Sequence, residues 1–125
     1  MRREANDGLS EERAGHRHAR LQGLIFEELR ALLRDDVADP ALMRVRVTAV
    51  VLSVDYRQAR VHFVTLARAQ ARAHAERALG RATAFLRARL ADSLDLKRVP
   101  DLRFLFDGVV AEDAKTDDVD GEVHG

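Results

Sequence analysis

The chain has 125 residues, 21 basic and 21 acidic side chains and no cysteine, which is enough for one domain and excludes both a disulfide framework and a thiolate metal site. The formal charge of zero hides a split: residues 107–125 carry seven acidic groups against Lys115 alone, a charge of −6, so residues 1–106 stand at +6. No run approaches the ~20 apolar residues that span a bilayer, and the polar opening "MRREANDGLSEERAGHRHAR" has no leader-like apolar stretch, so a cytoplasmic protein with no membrane partner is expected.

Residues 1–16 mix both signs without periodicity and are expected to form a flexible segment. Leu21, Leu24, Ile25, Leu29, Leu32 and Leu33 then recur at intervals of three and four, which predicts a first helix from about Arg17 to Arg34. "DDVADPAL" (35–42) ends it, because Pro40 lacks an amide proton and biases Asp39 away from helical angles.

"RVRVTAVVLSV" (44–54) and "QARVHFVTL" (58–66) are rich in β-branched residues, and the polar "DYR" between them predicts an antiparallel hairpin. In the second strand Ala59, Val61 and Phe63 alternate with Arg60, His62 and Val64, giving one apolar face and one mixed face.

Ala75, Ala78, Leu79, Ala82, Phe85, Leu86 and Leu90 trace another helical stripe within Ala69 to Leu94. As one straight rod these 26 residues would reach ~39 Å, against ~30 Å for a nine-residue strand, so a break near Gly80–Ala84 is expected. Gly80 offers the backbone freedom for it, and Thr83 can compete for nearby carbonyls. "LRFLF" (102–106) after Pro100 predicts a last strand, and residues 108–125 an acidic disordered tail.

"DPAL", "VTAVVLSVDYRQARVHFVTL", "ALGRATAFLRARL" and "LKRVPDLRFLFD" together resemble the bacterial ribosome-binding factor A family over roughly residues 17–107. The resemblance implies an α+β fold of the type II K-homology kind, in the order α-β-β-α-α-β, with a three-stranded sheet, helices on one face and a kink between the last two helices. It also implies a small-subunit maturation factor that binds the 30S subunit and its 16S rRNA, as a monomer without cofactor or small-molecule substrate. The family's Ala-Xaa-Gly kink falls on Ala82, Thr83 and Ala84, where alanine replaces glycine and favours helix continuation. The glycines lie at 8, 15, 23, 80, 108, 121 and 125, so no Gly-Xaa-Xaa-Gly loop can clamp a single strand as in ordinary K-homology domains.

Catalytic chemistry finds no support among the residue types present. "DDVAD" (Asp35, Asp36, Asp39) matches the form of a magnesium-diphosphate motif but lacks a second acidic partner, and reads as a solvated helix exit. His16 and His18 read as surface residues near the terminus, and no serine has a base at suggestive spacing. Phe26, Phe63, Phe85, Phe104, Phe106 and Tyr56 mostly occupy apolar stripes and are expected in the core rather than as base-stacking platforms.

The informative set is cationic. Arg60, Arg68, Arg72, Arg77, Arg81, Arg87, Arg89, Lys97 and Arg98 face only Glu76, Asp92 and Asp95, an excess of +6. Arg77 and Arg81 point away from the apolar stripe, Arg87 flanks it, Arg89 lies nearer its edge, and Lys97 and Arg98 occupy a connection. With Arg44 and Arg46 at the start of the first strand, these are the candidate RNA contacts, since guanidinium forks suit phosphate oxygens. The alternative is a protein-interaction module in which the hairpin edge accepts a partner strand.

Overall fold

A computed structural model of the protein describes residues 2–66 and 71–110, with side chains from 13–66 and 72–110. Helix α1 (Arg2–Asp35) leads through a short 3-10 turn (Pro40–Leu42) into strands β1 (Val45–Leu52) and β2 (Gln58–Leu66), followed by helix α2 (Ala71–Leu94) and strand β3 (Asp101–Val110). The sheet order is β1-β2-β3, with β1 and β2 antiparallel and β2 and β3 parallel. The expected α+β architecture, the hairpin and the three-stranded sheet are all present.

One face of the sheet carries the core. Val45, Val47, Val50 and Leu52 of β1 and Ala59, Val61 and Phe63 of β2 are buried against Ile25, Leu29, Leu32 and Leu33 of α1 and Ala75, Ala78, Leu79, Leu86 and Leu90 of α2. Burying each large aliphatic side chain contributes roughly 1.5–3 kcal/mol, so these stripes set both the register and the side on which the helices lie. Among the described residues no helix lies on the opposite face of the sheet, and apart from Leu66 at the end of β2 its residues are exposed or half-buried.

Four features differ from the sequence expectation. First, α1 begins at Arg2 rather than near Arg17. Second, the expected break near Gly80–Ala84 is absent: α2 is one uninterrupted helix of 24 residues, so the order is α-β-β-α-β and not α-β-β-α-α-β. Thr83 Oγ1 donates to Leu79 O at 2.8 Å, a bond back along the same helix, and Ala84 continues it as alanine should. The length argument counted only the sheet, whereas α2 also packs on α1 and on the Pro40–Leu42 turn, which give its full length something to bury against. The helix stops at Asp95, whose φ of 55° places it in the left-handed region while Leu96 N donates to Ala91 O at 3.0 Å.

Third, β3 runs to Val110, four residues beyond the expected strand, through an irregularity at which Asp107 and Gly108 both stand opposite Val64. Gly108 has φ 145°, a conformation that side-chain-bearing residues rarely adopt. The remainder of the expected acidic tail, 111–125, lies outside the described residues. Fourth, Leu24 and Phe85, both assigned to apolar stripes, are 40% and 39% exposed.

Candidate nucleic-acid interface

The connection after α1 engages two of the arginines on α2. Asp39 is extended (φ −70°, ψ 118°), accepts a hydrogen bond from Ala41 N at 3.0 Å and so opens the 3-10 turn with Pro40 in its first position. Its other oxygen accepts from Arg81 Nη2 at 2.8 Å. The Arg81 bond, the Ala41 amide and the nearby positive charge hold the Asp39 carboxyl below its usual 3.8. Asp36 pairs with Arg89 at 2.9 Å, and Asp35 with its neighbour Arg34 at 3.1 Å. All three carboxylates of the acidic run therefore meet guanidinium groups.

Arg87 lies on the other flank of α2. Its Nη2 donates to Val99 O at 2.8 Å and its Nε to Pro100 O at 3.2 Å, with Asp101 at 3.6 Å. One side chain thus fixes how the chain enters β3. Arg46 donates to Met43 O and Val45 O at 2.9 and 3.0 Å. Arg44 is exposed and also has a partner in the fold.

Of the eight candidate cations, then, Arg81, Arg87, Arg89 and Arg46 make structural contacts, and Arg77, Lys97 and Arg98 are exposed. The fold does not gather these three: from Arg77 to the end of α2 is 17 residues, ~26 Å of helix, and Lys97 and Arg98 follow beyond it. Arg68 lies outside the described residues. Of the kink residues, Gly80 and Ala84 are on the exposed side of α2, and Ala82 and Thr83 are half-buried.

The sequence reading missed two groups of residues. Phe85 sits at the edge of the stripe, in a cavity of ≈ 270 Å³ lined by Asp36, Asp39, Leu42, Arg81 and Ala82, with the Arg89 guanidinium 5.7 Å from its ring centre. Tyr56 is 38% exposed at the hairpin turn rather than in the core. His18, read as a surface residue, is half-buried against that turn: its Nε2 donates to Leu52 O and Ser53 O at 2.9 and 3.1 Å, and its ring meets Tyr56 edge-on at 5.2 Å. Gln22 Oε1 accepts from Leu52 N at 2.9 Å. Together His18 and Gln22 occupy the outer edge of β1 at its hairpin end, and a bulge at Thr48 interrupts the strand's pairing with β2 in the middle. Both devices work against addition of a partner strand there.

Among the described residues, no three His, Asp or Glu side chains converge as a metal cluster would require, and no helix is long and apolar enough to cross a membrane. What the molecule offers is a two-layer α+β fold of the K-homology kind, with exposed cations spread over it. That class is specific enough to compare. The sequence profile of ribosome-binding factor A matches residues 17–119, and the chain belongs to that family. Ribosome-binding factor A of Heliobacterium modesticaldum is 46% identical over 94 residues, covering 75% of this chain and 78% of that protein. The Coxiella burnetii protein of the same name is 38% identical over 91 residues, 73% of this chain and 76% of that one.

Two sets of coordinates for one structural relative agree. The crystal structure of ribosome-binding factor A from Thermus thermophilus superposes with a TM-score of 0.55 at 34% identity, covering 74% of this chain and 92% of that one. Coordinates of the Thermus thermophilus protein fitted into the cryo-EM map of a 30S complex superpose with a TM-score of 0.52 at 34% identity, over 72% and 90% of the two chains.

Proposed function

We propose that this protein is a cytoplasmic ribosome maturation factor that binds the free small subunit late in its assembly. It contacts 16S rRNA through phosphates and makes or breaks no covalent bond. The observation that carries this reading is the Thermus relative, 34% identical and fitted into the map of a 30S complex. Residues 17–107 act as the binding unit, alone and as a monomer. Arg77, Lys97 and Arg98 meet phosphate directly, and Arg44 and Arg46 at the sheet edge do so while sharing the partners they already hold. Arg81, Arg87 and Arg89 join them only by sharing or exchanging the partners they already hold.

A factor of this kind works by differential affinity: it favours the RNA arrangement it binds best, aids maturation and processing of that RNA, and then leaves. Co-sedimentation of the purified protein with isolated small and large subunits, at two salt concentrations, tests the reading. Selective recovery with small subunits at low salt is expected. Equal or absent recovery with both would overturn it.

A further inference from the structure

The uncovered face of the sheet contains an arrangement that the fold alone does not explain. Arg60 and Arg103 are register partners on β2 and β3. Both project outward, because Ala59 and Val61 on one strand and Leu102 and Phe104 on the other turn inward to the core. Neighbouring strands lie ~4.8 Å apart, so two guanidinium groups of like charge stand side by side, which is destabilising in isolation. Neither has a hydrogen-bond, ion-pair or ring partner among the described residues.

The carboxylates within reach are committed elsewhere. Asp107 accepts from His62 Nδ1 at 3.0 Å, and Asp101, at the start of β3, lies 3.6 Å from Arg87. Val51, opposite Arg60 on β1, and Leu105, two positions after Arg103 on β3, are 38% and 37% exposed and flank the arginines with apolar surface. The face carries no phenylalanine, tyrosine or tryptophan: Phe63, Phe104 and Phe106 all belong to the core side. It therefore cannot stack bases on aromatic rings as an RNA-reading sheet does.

We propose that this open face is a second RNA-backbone surface, on which Arg60 and Arg103 together take phosphate oxygens while Val51 and Leu105 lie under the adjoining ribose. An anion between the two guanidiniums converts their mutual repulsion into two charge-assisted contacts. Because the helices occupy the other side of the sheet, this surface lies opposite Arg77 on α2, and the protein sits between two RNA segments. The inference rests on the ribosomal reading above and adds to it a sequence-independent contact, with phosphate rather than base as the ligand.

The test uses the full-length chain and purified small subunits, with affinity measured from 50 to 200 mM salt for wild type, R60Q/R103Q and R60K/R103K. One phosphate held between the two guanidiniums predicts a log–log salt slope shallower by about 0.7–0.9 in the glutamine variant, with the lysine variant close to wild type. Melting temperature should hold or rise in R60Q/R103Q, since a like-charge pair is relieved. Wild-type binding with an unaltered slope and affinity in R60Q/R103Q overturns the inference and leaves the ribosomal reading standing. Weakened binding with an unaltered slope assigns the face to a ribosomal protein and also overturns it. Failure of the wild type to bind overturns both. Independently, a tethered hydroxyl-radical source on Val51→Cys, in a chain with no cysteine of its own, should cut 16S rRNA in the complex; intact RNA would contradict the proposal.

Discussion

At the scale of single residues, the arginines divide by what they touch rather than by where they fall in the sequence. Arg87 serves the carbonyls of Val99 and Pro100, so Arg87→Ala should cost about 1.5–3 kcal/mol in urea denaturation, the range for hydrogen bonds to a charged group. A loss near zero would mean that water serves those carbonyls equally well. Asp39 makes a prediction in pH. Its folded carboxyl is held below 3.8 by Arg81 and the Ala41 amide, so its contribution is fully present above the unfolded value near ~3.9 and is lost as pH falls through the lower folded value. Asp39→Asn should therefore show a weaker loss of stability on acidification below about pH 4 than the wild type. An identical acid profile would remove the Arg81–Asp39 pair as a stabilising contact. Neither partnership was legible in the sequence: Asp39 and Arg81 are 42 positions apart, and only the packing of α2 on the Pro40–Leu42 turn brings them together.

At the scale of elements, periodicity carried most of the information. The three-and-four spacing of α1, the alternation of β2 and the turn at Asp39–Pro40 each led to the observed element, because one buried face fixes each pattern. The misreadings fall at the edges of those faces. Phe85 follows the helical stripe closely enough to look internal, yet it faces the cavity beside Asp36 and Asp39 rather than the sheet. Tyr56 was counted with the core aromatics, but it occupies a turn with φ 65°, stabilised by Ser53 and packed under His18. The expected break in α2 rested on length and on Gly80, and both considerations lost to continuous packing. Gly80 has open space around it and no left-handed φ, so Gly80→Ala should stabilise the protein by about 0.5–1 kcal/mol in thermal or urea unfolding. Destabilisation would show that the helix needs glycine there after all. If Gly80→Ala raises stability while weakening subunit binding, the glycine serves a bend adopted on the ribosome.

At the scale of the whole molecule, the charge split pointed to a polyanion-binding protein, and the chain belongs to the ribosome-binding factor A family. The sequence excess between Arg60 and Arg98 suggested a cationic surface of helix, connection and strand-start residues; the folded chain spreads those groups over both layers and uses several of them internally. What remains is a domain with exposed cations on both layers and, among the described residues, no cluster of three His, Asp or Glu side chains. The central claim is that it recognises the small subunit electrostatically. The most direct measurement is the equilibrium constant for the full-length protein and purified small subunits as a function of salt. The account predicts a linear log–log decline with a slope of at least about −3, corresponding to four or more neutralised phosphates at ~0.7–0.9 each. Binding that does not change with salt would contradict it.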